Sequence, residues 1–319
     1  MNPSTPSPLA VVGYASLDSA TSTSRFRGVD ATSILRRPLR SDSPAIGGIA
    51  HLVTAAAANG AEVTAVSWIG DDRGGVLWRA AVREAGASDE GVAVQGDRSP
   101  SATMLEIESG GTICFFDPGT CHPARLDDRQ VRVLHAARTV LLTVAPRSLT
   151  EQVLDTLPTE ARLVWAVKHD ADAYDEELVR RLLTRADAVS FARGERPFLE
   201  ASGPLSSTVR PGTLLLETLG AEGVRWEVAG HARAGSSSVE RVSAADTTGA
   251  GDTFIGTAAA DLARVHDPAA LTDDLLDELV SRASAAARAL LISRATARSH
   301  EPAPVDGAPQ NEGVTHAER

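Results

Sequence analysis

Six short apolar runs rich in β-favouring residues punctuate this 319-residue chain: Leu9–Val12, Val63–Trp68, Thr139–Val144, Leu163–Val167, Ala188–Phe191 and Thr213–Leu219. They are nearly continuous rather than alternating, the pattern of strands buried on both faces. Helical stretches separate them, at Ala45–Asn59, Gly74–Glu84, Leu149–Leu157 and Asp175–Arg185. Strand and helix in this alternation predict an α/β sandwich of three layers, with a mostly parallel central sheet and helices on both faces. Two segments break the rhythm. Residues 14–42 lack helical periodicity, and 101–116 read as two short strands around a Ser109-Gly110-Gly111 turn. We expect segments of about 14–42 and 97–120 to pair as a small β-sheet lid beside the main sheet. Residues 224–242 look like a further antiparallel patch, and about 273–294 like a long Ala-rich amphipathic helix. One domain over 9–299 is expected. Residues 1–8 and 300–319, rich in Pro, Ser, Gly and charge, are expected to be mobile tails.

Charge and cysteine content remove several classes of function. Lys and Arg total 31 against 42 Asp and Glu, a net charge of −11. That balance argues against nucleic-acid or anionic-membrane partners, which require a basic field. A small anionic substrate stays compatible, because local donors outweigh net charge. Cys114 and Cys121 are the only cysteines, too few for a disulfide framework or a four-cysteine zinc site. The opening residues lack a signal-peptide pattern and no apolar run approaches a membrane span, so a cytoplasmic protein is expected. The eight histidines show no zinc-ligand spacing. A Walker A loop needs Gly-Lys-[Ser/Thr], yet the only lysine, Lys168, lies in WAVKHD. That segment has neither the Gly-rich loop before it nor the catalytic strings after it that a protein kinase carries. Lys168 either faces substrate or phosphate, or is a solvated strand end. Cys114 is read as a packed lid residue, and Trp68 and Trp165 as core.

The string DTTGAGDTF, Asp246 to Phe254, carries the most chemistry. Gly249 and Gly251 permit backbone conformations that side chains forbid, and let successive N–H groups converge at a helix start. Such a terminus has unpaired donors and partial positive charge, so it binds phosphate-like anions. Asp252 in the first helical turn either stabilises the helix dipole or serves as base toward a substrate hydroxyl.

At this string the chain resembles the PfkB/ribokinase family of carbohydrate and nucleoside kinases, over about residues 9–298. VVGYASLD places Asp18 five residues after Gly13, as in the family's sugar-binding opening. GGIAHLVTAAAANGA, with Gly47 and Gly48, looks like the family's Gly-Gly pair before a helix, and IGDDRGG matches its usual sequel. TLGAEG, Thr218 to Gly223, is similar to the nucleotide-binding turn, and ARGERPFL carries Glu195 at the position of the family's Asn-x-x-Glu motif.

The resemblance implies a ribokinase-like fold and an ATP-dependent transfer of phosphate to a hydroxyl of a sugar-like molecule. Asp252 would be the base, and the amides of Gly249, Ala250 and Gly251 the anion hole. Thr218, Gly220 and Gly223 would line the nucleotide, with the 283–294 helix over its base. Asp18, Gly47 and Gly48 would grip the substrate. Glu195 would help to hold Mg²⁺, and a monovalent cation such as K⁺ would lie near Asp246. Apart from the resemblance, the oligomeric state stays open, and exposed lid strands are edges that commonly seek a partner, a homodimer through the lid being one outcome.

Four departures accompany the match. The family's Asn four residues after the second Gly is Leu52 here, and the following helix is one residue shorter. The Asn of Asn-x-x-Glu is Ala192, and the stretch that often reads Asp-Pro-Asn is Ala166-Val167-Lys168. Leu52 offers no hydrogen bond, so plain ribose and fructose are expected to be poor substrates, and Leu52→Asn to improve one of them. Two alternatives stand beside the sugar kinase: a nucleoside kinase of the same family, and a ligand-binding protein on this scaffold that has lost catalysis.

Overall fold

The computed structural model describes residues 8–37, 44–108, 110–201, 203–242, 247–265 and 271–299. Asp246, Ser109 and nearly all of both expected tails lie outside these residues. Pro8 is described, and it opens a strand rather than closing a tail.

In chain order the strands are β1 (Pro8–Val12), β2 (Ala15–Thr23), β3 (Leu35–Arg37), β4 (Ala45–Gly48), β5 (Glu62–Ile69), β6 (Ser88–Val94) and β7 (Ser101–Ile107). They continue with β8 (Thr112–Asp117), β9 (Thr139–Leu142), β10 (Arg162–Ala166), β11 (Ala188–Ala192), β12 (Leu214–Thr218), β13 (Val224–Val228) and β14 (Arg233–Ser237). The helices are α1 (Ala50–Ala58), α2 (Arg73–Glu84), α3 (Asp128–Ala136), α4 (Arg147–Thr156) and α5 (Glu176–Arg185). After them come α6 (Arg196–Leu199), α7 (Leu205–Thr208), α8 (Ala250–Arg264) and α9 (Asp273–Ser299).

Nine strands form the main sheet in the order β14-β13-β12-β11-β10-β9-β1-β5-β6. Seven of them, β12 through β6, pair in parallel, and β13 and β14 extend the edge antiparallel. Alternate residues of each strand feed two separate cores. Leu9, Val11, Val164 and Leu216 pack beneath α1, α2, α8 and α9. Ala10, Val12, Trp165 and Leu215 pack beneath α3, α4 and α5. All six expected strands are present, and Trp68 and Trp165 are fully buried. No helix among the described residues is long and apolar enough to cross a membrane.

The two segments that broke the alternation form a second, five-stranded sheet ordered β3-β2-β7-β8, with β4 on β2. Here the expected helix over 45–59 divides. Residues 45–48 pair with β2 as a strand, Gly48 turns at φ +60°, and the helix starts only at Ala50. Cys114 is exposed on β8 rather than packed. Besides the one-turn helices α6 and α7, the sequence leaves β6 and α3 unmarked because their apolar signal is short: β6 opens with Ser88-Asp89-Glu90, and α3 is opened by an Asp127–Gln130 capping box.

Buried Asp261 on α8 ties one helical layer together. It accepts from Asn59 Nδ2 (2.9 Å) at the end of α1, Arg264 NH1 (2.7 Å) and Arg282 Nε (2.8 Å) on α9. The helices α1 and α8 cross at Gly256, where a Cβ would stand 2.6 Å from the Leu52 carbonyl oxygen. Gly256→Ala should therefore lower stability by about 1–3 kcal/mol in chemical denaturation, the usual cost of overpacking. Gly251→Ala, five residues earlier with nothing within 4 Å of its Cβ, should not.

Candidate active site

Parallel strands present their carboxyl ends at one edge of the sheet, and ligands bind where the strand order reverses. Here that point is β1, which has β9 on one side and β5 on the other. The segments that follow β1, β10, β11 and β12 bring Tyr14, Lys168, Glu195 and Thr218 to this edge. Buried Glu217 braces the last of them. Its carboxylate accepts from Arg196 (3.0 and 2.9 Å) and from Arg225, which hold its pKa down at about 2.

Facing that edge is the start of α8. Gly249 is its N-cap in the left-handed region (φ 74°, ψ −1°), a conformation that a Cβ would strain. No side chain caps the helix. The Ala250 N–H already bonds the Thr247 carbonyl oxygen (3.2 Å), so of the three amides expected in an anion hole this one is engaged. Gly251 faces open space. Asp252, one residue on, pairs with Lys168 (Oδ1 to Nζ, 3.0 Å).

On the second sheet, Asp18 lies against Gly47 so closely that a Cβ there would stand 2.1 Å from Oδ2. The Ser16 hydroxyl donates to its carboxylate. Burial raises the Asp18 pKa, opposed by the Ser16 bond and by His51, while Asp252 is near enough to add to the rise. Asp18 shares one register row with Ala102 and Phe116. Phe116 is part-exposed, with its ring edge-on to Tyr14 at 4.9 Å.

Leu52 is not in the cleft. It is 1% exposed and belongs to the core beneath α1 and α8. Its neighbour His51 takes the place facing the site, with its ring against Gly249 and within electrostatic reach of Asp252, Arg294, Asp18 and Lys168. Burial lowers the His51 pKa. The cause is geometric: Gly48 turns the chain out of β4 and α1 starts at Ala50, and successive helical side chains point about 100° apart. The shortened helix was the available sequence signal, and the substrate expectation built on Leu52 loses its basis.

Glu195 closes a 3₁₀ turn after β11. Its carboxylate accepts from the Ala192 N–H (2.7 Å) and from the backbone of His169, beside Lys168. Burial raises its pKa against those bonds. No cluster of three metal-ligating side chains occurs among the described residues.

A cavity of about 290 Å³ lies between the turn after β12, the start of α8 and α9. Thr218, Gly220 and Gly223 line one end, and Ala250 and Gly251 of the helix start line the other. Ser284, Ala287, Arg288 and Leu291 form a wall at helical spacing on α9. The Ser284 hydroxyl, on a residue only 7% exposed, has no hydrogen-bond partner among the described residues. Arg288 pairs with Glu240 across the cavity (2.5 Å). The sequence reading placed the 283–294 helix here but singled out neither Ser284 nor Arg288, whose spacing in an Ala-rich stretch was the only clue.

A family profile described as pfkB family carbohydrate kinase matches residues 45–303. The chain belongs to that family. Among solved structures, ribokinase from Arabidopsis thaliana, complexed with ribose and ATP, is 20% identical with a TM-score of 0.72, covering 90% of this chain and 93% of its own. Cryptococcus neoformans ribokinase, in complex with ADP, is 18% identical with a TM-score of 0.72 over 88% and 92%. A nucleoside kinase from Methanocaldococcus jannaschii is 14% identical with a TM-score of 0.71 over 89% and 91%. No curated protein sequence matches the chain. At these identities the structural likeness establishes the ribokinase fold, and the profile establishes membership of the pfkB family.

For this pfkB-family chain, Leu52→Asn should place an amide in the core. A loss of about 3 kcal/mol in denaturant unfolding is expected, with no gain in turnover of ribose or fructose.

Proposed function

We propose that this protein transfers the γ-phosphoryl group of ATP to a hydroxyl of a sugar or sugar-like molecule. The single observation that carries this reading is the cavity running from the Thr218–Gly223 turn to the Gly-rich start of α8, the helix whose first turn carries Asp252. A nucleotide laid in it has its base against α9 and its phosphates toward the field of the helix terminus. Asp18, on the second sheet, is the residue suited to grip acceptor hydroxyls, with Gly47 making room for its carboxylate.

In this mechanism Asp252 accepts the proton of the acceptor hydroxyl. The hydroxyl oxygen forms its bond to the γ-phosphorus as the bond to the β-phosphate oxygen breaks. The Gly251 amide and the terminus of α8 stabilise charge on the transferring group. Mg²⁺, when bound, neutralises phosphate charge. It takes few protein ligands and keeps several waters, a demand that the Glu195 carboxylate, fixed by two backbone donors, fits. The second sheet serves as a lid that excludes water during transfer. A nucleoside acceptor is the second reading. Phe116, part-exposed in the same row as Asp18, is placed to stack on a base.

ADP release from ATP across a panel of sugars, sugar acids and nucleosides tests the reading. Release that depends on one acceptor supports it, and none with any acceptor favours the ligand-binding alternative. With that acceptor, Asp252→Asn should keep nucleotide binding and lose about 10²–10⁴ in kcat. Gly251→Val should fold yet fail in single-turnover transfer, since its side chain fills the open space before the helix start.

The Ser284 hydroxyl is placed to meet the edge of the base. Removing a buried hydroxyl without a partner should raise stability, while losing a ligand contact should weaken binding. Ser284→Ala is thus expected to raise the Tm without nucleotide and to weaken ADP binding about 3- to 10-fold, read by calorimetry.

A further inference from the structure

Lys168 is the only lysine of the chain, and it lies within electrostatic reach of two carboxylates, Asp252 and Glu195. Its Nζ lies 3.0 Å from Asp252 Oδ1. The Glu195 carboxylate takes the backbone N–H of His169, the residue after Lys168. The Asp252 charge, and more weakly Glu195, raise the Lys168 pKa against desolvation, so the ammonium stays charged. Its side chain is nonetheless 46% exposed, open to the cleft. An ammonium has three N–H donors, and the pair with Asp252 is the one ion pair it makes among the described residues.

We propose that Lys168 is a catalytic residue that exchanges partners, leaving Asp252 to bond a γ-phosphoryl oxygen when ATP binds. This rests on the kinase reading above and deepens it. A phosphoryl group passed to a hydroxyl held at Asp252 comes within reach of an ammonium 3.0 Å from that carboxylate. While Lys168 bonds Asp252 Oδ1, that oxygen is occupied by the ammonium. Transfer of the ammonium to the phosphoryl oxygen frees Oδ1 for the acceptor hydroxyl while neutralising charge on the group being transferred. The hydroxyl proton then passes to the Asp252 carboxylate, the acceptor oxygen bonds phosphorus, and the leaving oxygen stays with ADP. A flexible four-carbon stem suits such an exchange, whereas the planar fork of arginine favours a fixed bidentate partner.

The test needs no acceptor. ADP and the non-hydrolysable analogue AMPPNP are titrated with Mg²⁺ into the wild-type protein, Lys168→Met, Lys168→Arg, Asp252→Asn and the Lys168→Met/Asp252→Asn double variant. Lys168→Met should weaken AMPPNP binding about tenfold or more and leave ADP within about twofold, because only AMPPNP carries the third phosphate. Lys168→Arg should fall between. In the Asp252→Asn background the AMPPNP loss should persist, showing a contact with the phosphate itself. Equal losses for both nucleotides, no loss for either, or a loss that vanishes with Asp252→Asn would overturn the proposal and leave the kinase reading standing. A wild-type protein that binds neither nucleotide would overturn both.

Discussion

The amides at the start of a helix have no acceptor within it, and in α8 no capping side chain supplies one. That shortage is what the rest of the site is arranged around. A left-handed Gly249 brings the chain into the helix without a side chain in the way, and Gly251 leaves the approach open. The direction of α8 then matters, since the field of its terminus acts along the helix axis. Two features fix it. Asp261 binds the end of α1 through Asn59 and α9 through Arg282, and the Gly256 contact holds α8 against α1 at backbone distance. A close helix crossing on one side of the sheet thus sets the placement of the helix start about two turns away.

Charge in the cleft is local, and opposite in logic to the net charge of −11. Three carboxylates, Asp18, Asp252 and Glu195, stand near Lys168, His51 and Arg294. Burial keeps His51 toward its neutral form, and the neighbouring carboxylates keep Lys168 charged, so the two bases do different work. His51 can both donate and accept a hydrogen bond, while Lys168 only donates. Near the cavity, Glu217 meets a simpler need. Two arginines satisfy a buried carboxylate at the end of β12, which holds rigid the turn that leads into the cavity.

The sequence alone determined much of this protein. Continuous apolar runs can satisfy both faces only as central strands, so the layered sheet followed from their spacing. The failure of residues 14–42 and 101–116 to alternate predicted the second sheet. DTTGAGDTF required a helix terminus suited to an anion, because two glycines and an acidic first turn have few other uses in such close order. What the sequence left open was rotation and proximity. The start of α1 at Ala50 turned Leu52 into the core and His51 toward the cleft, because a helical side chain's direction depends on where the first turn begins, which strand β4 decided by pairing with β2. The pairing of Lys168 with Asp252 joins residues 84 positions apart on different elements, and the Ser284 hydroxyl acquires its meaning only from the cavity that α9 walls. Local pattern determines which residues lie on a strand or a helix; only the packing of those elements decides which charges meet.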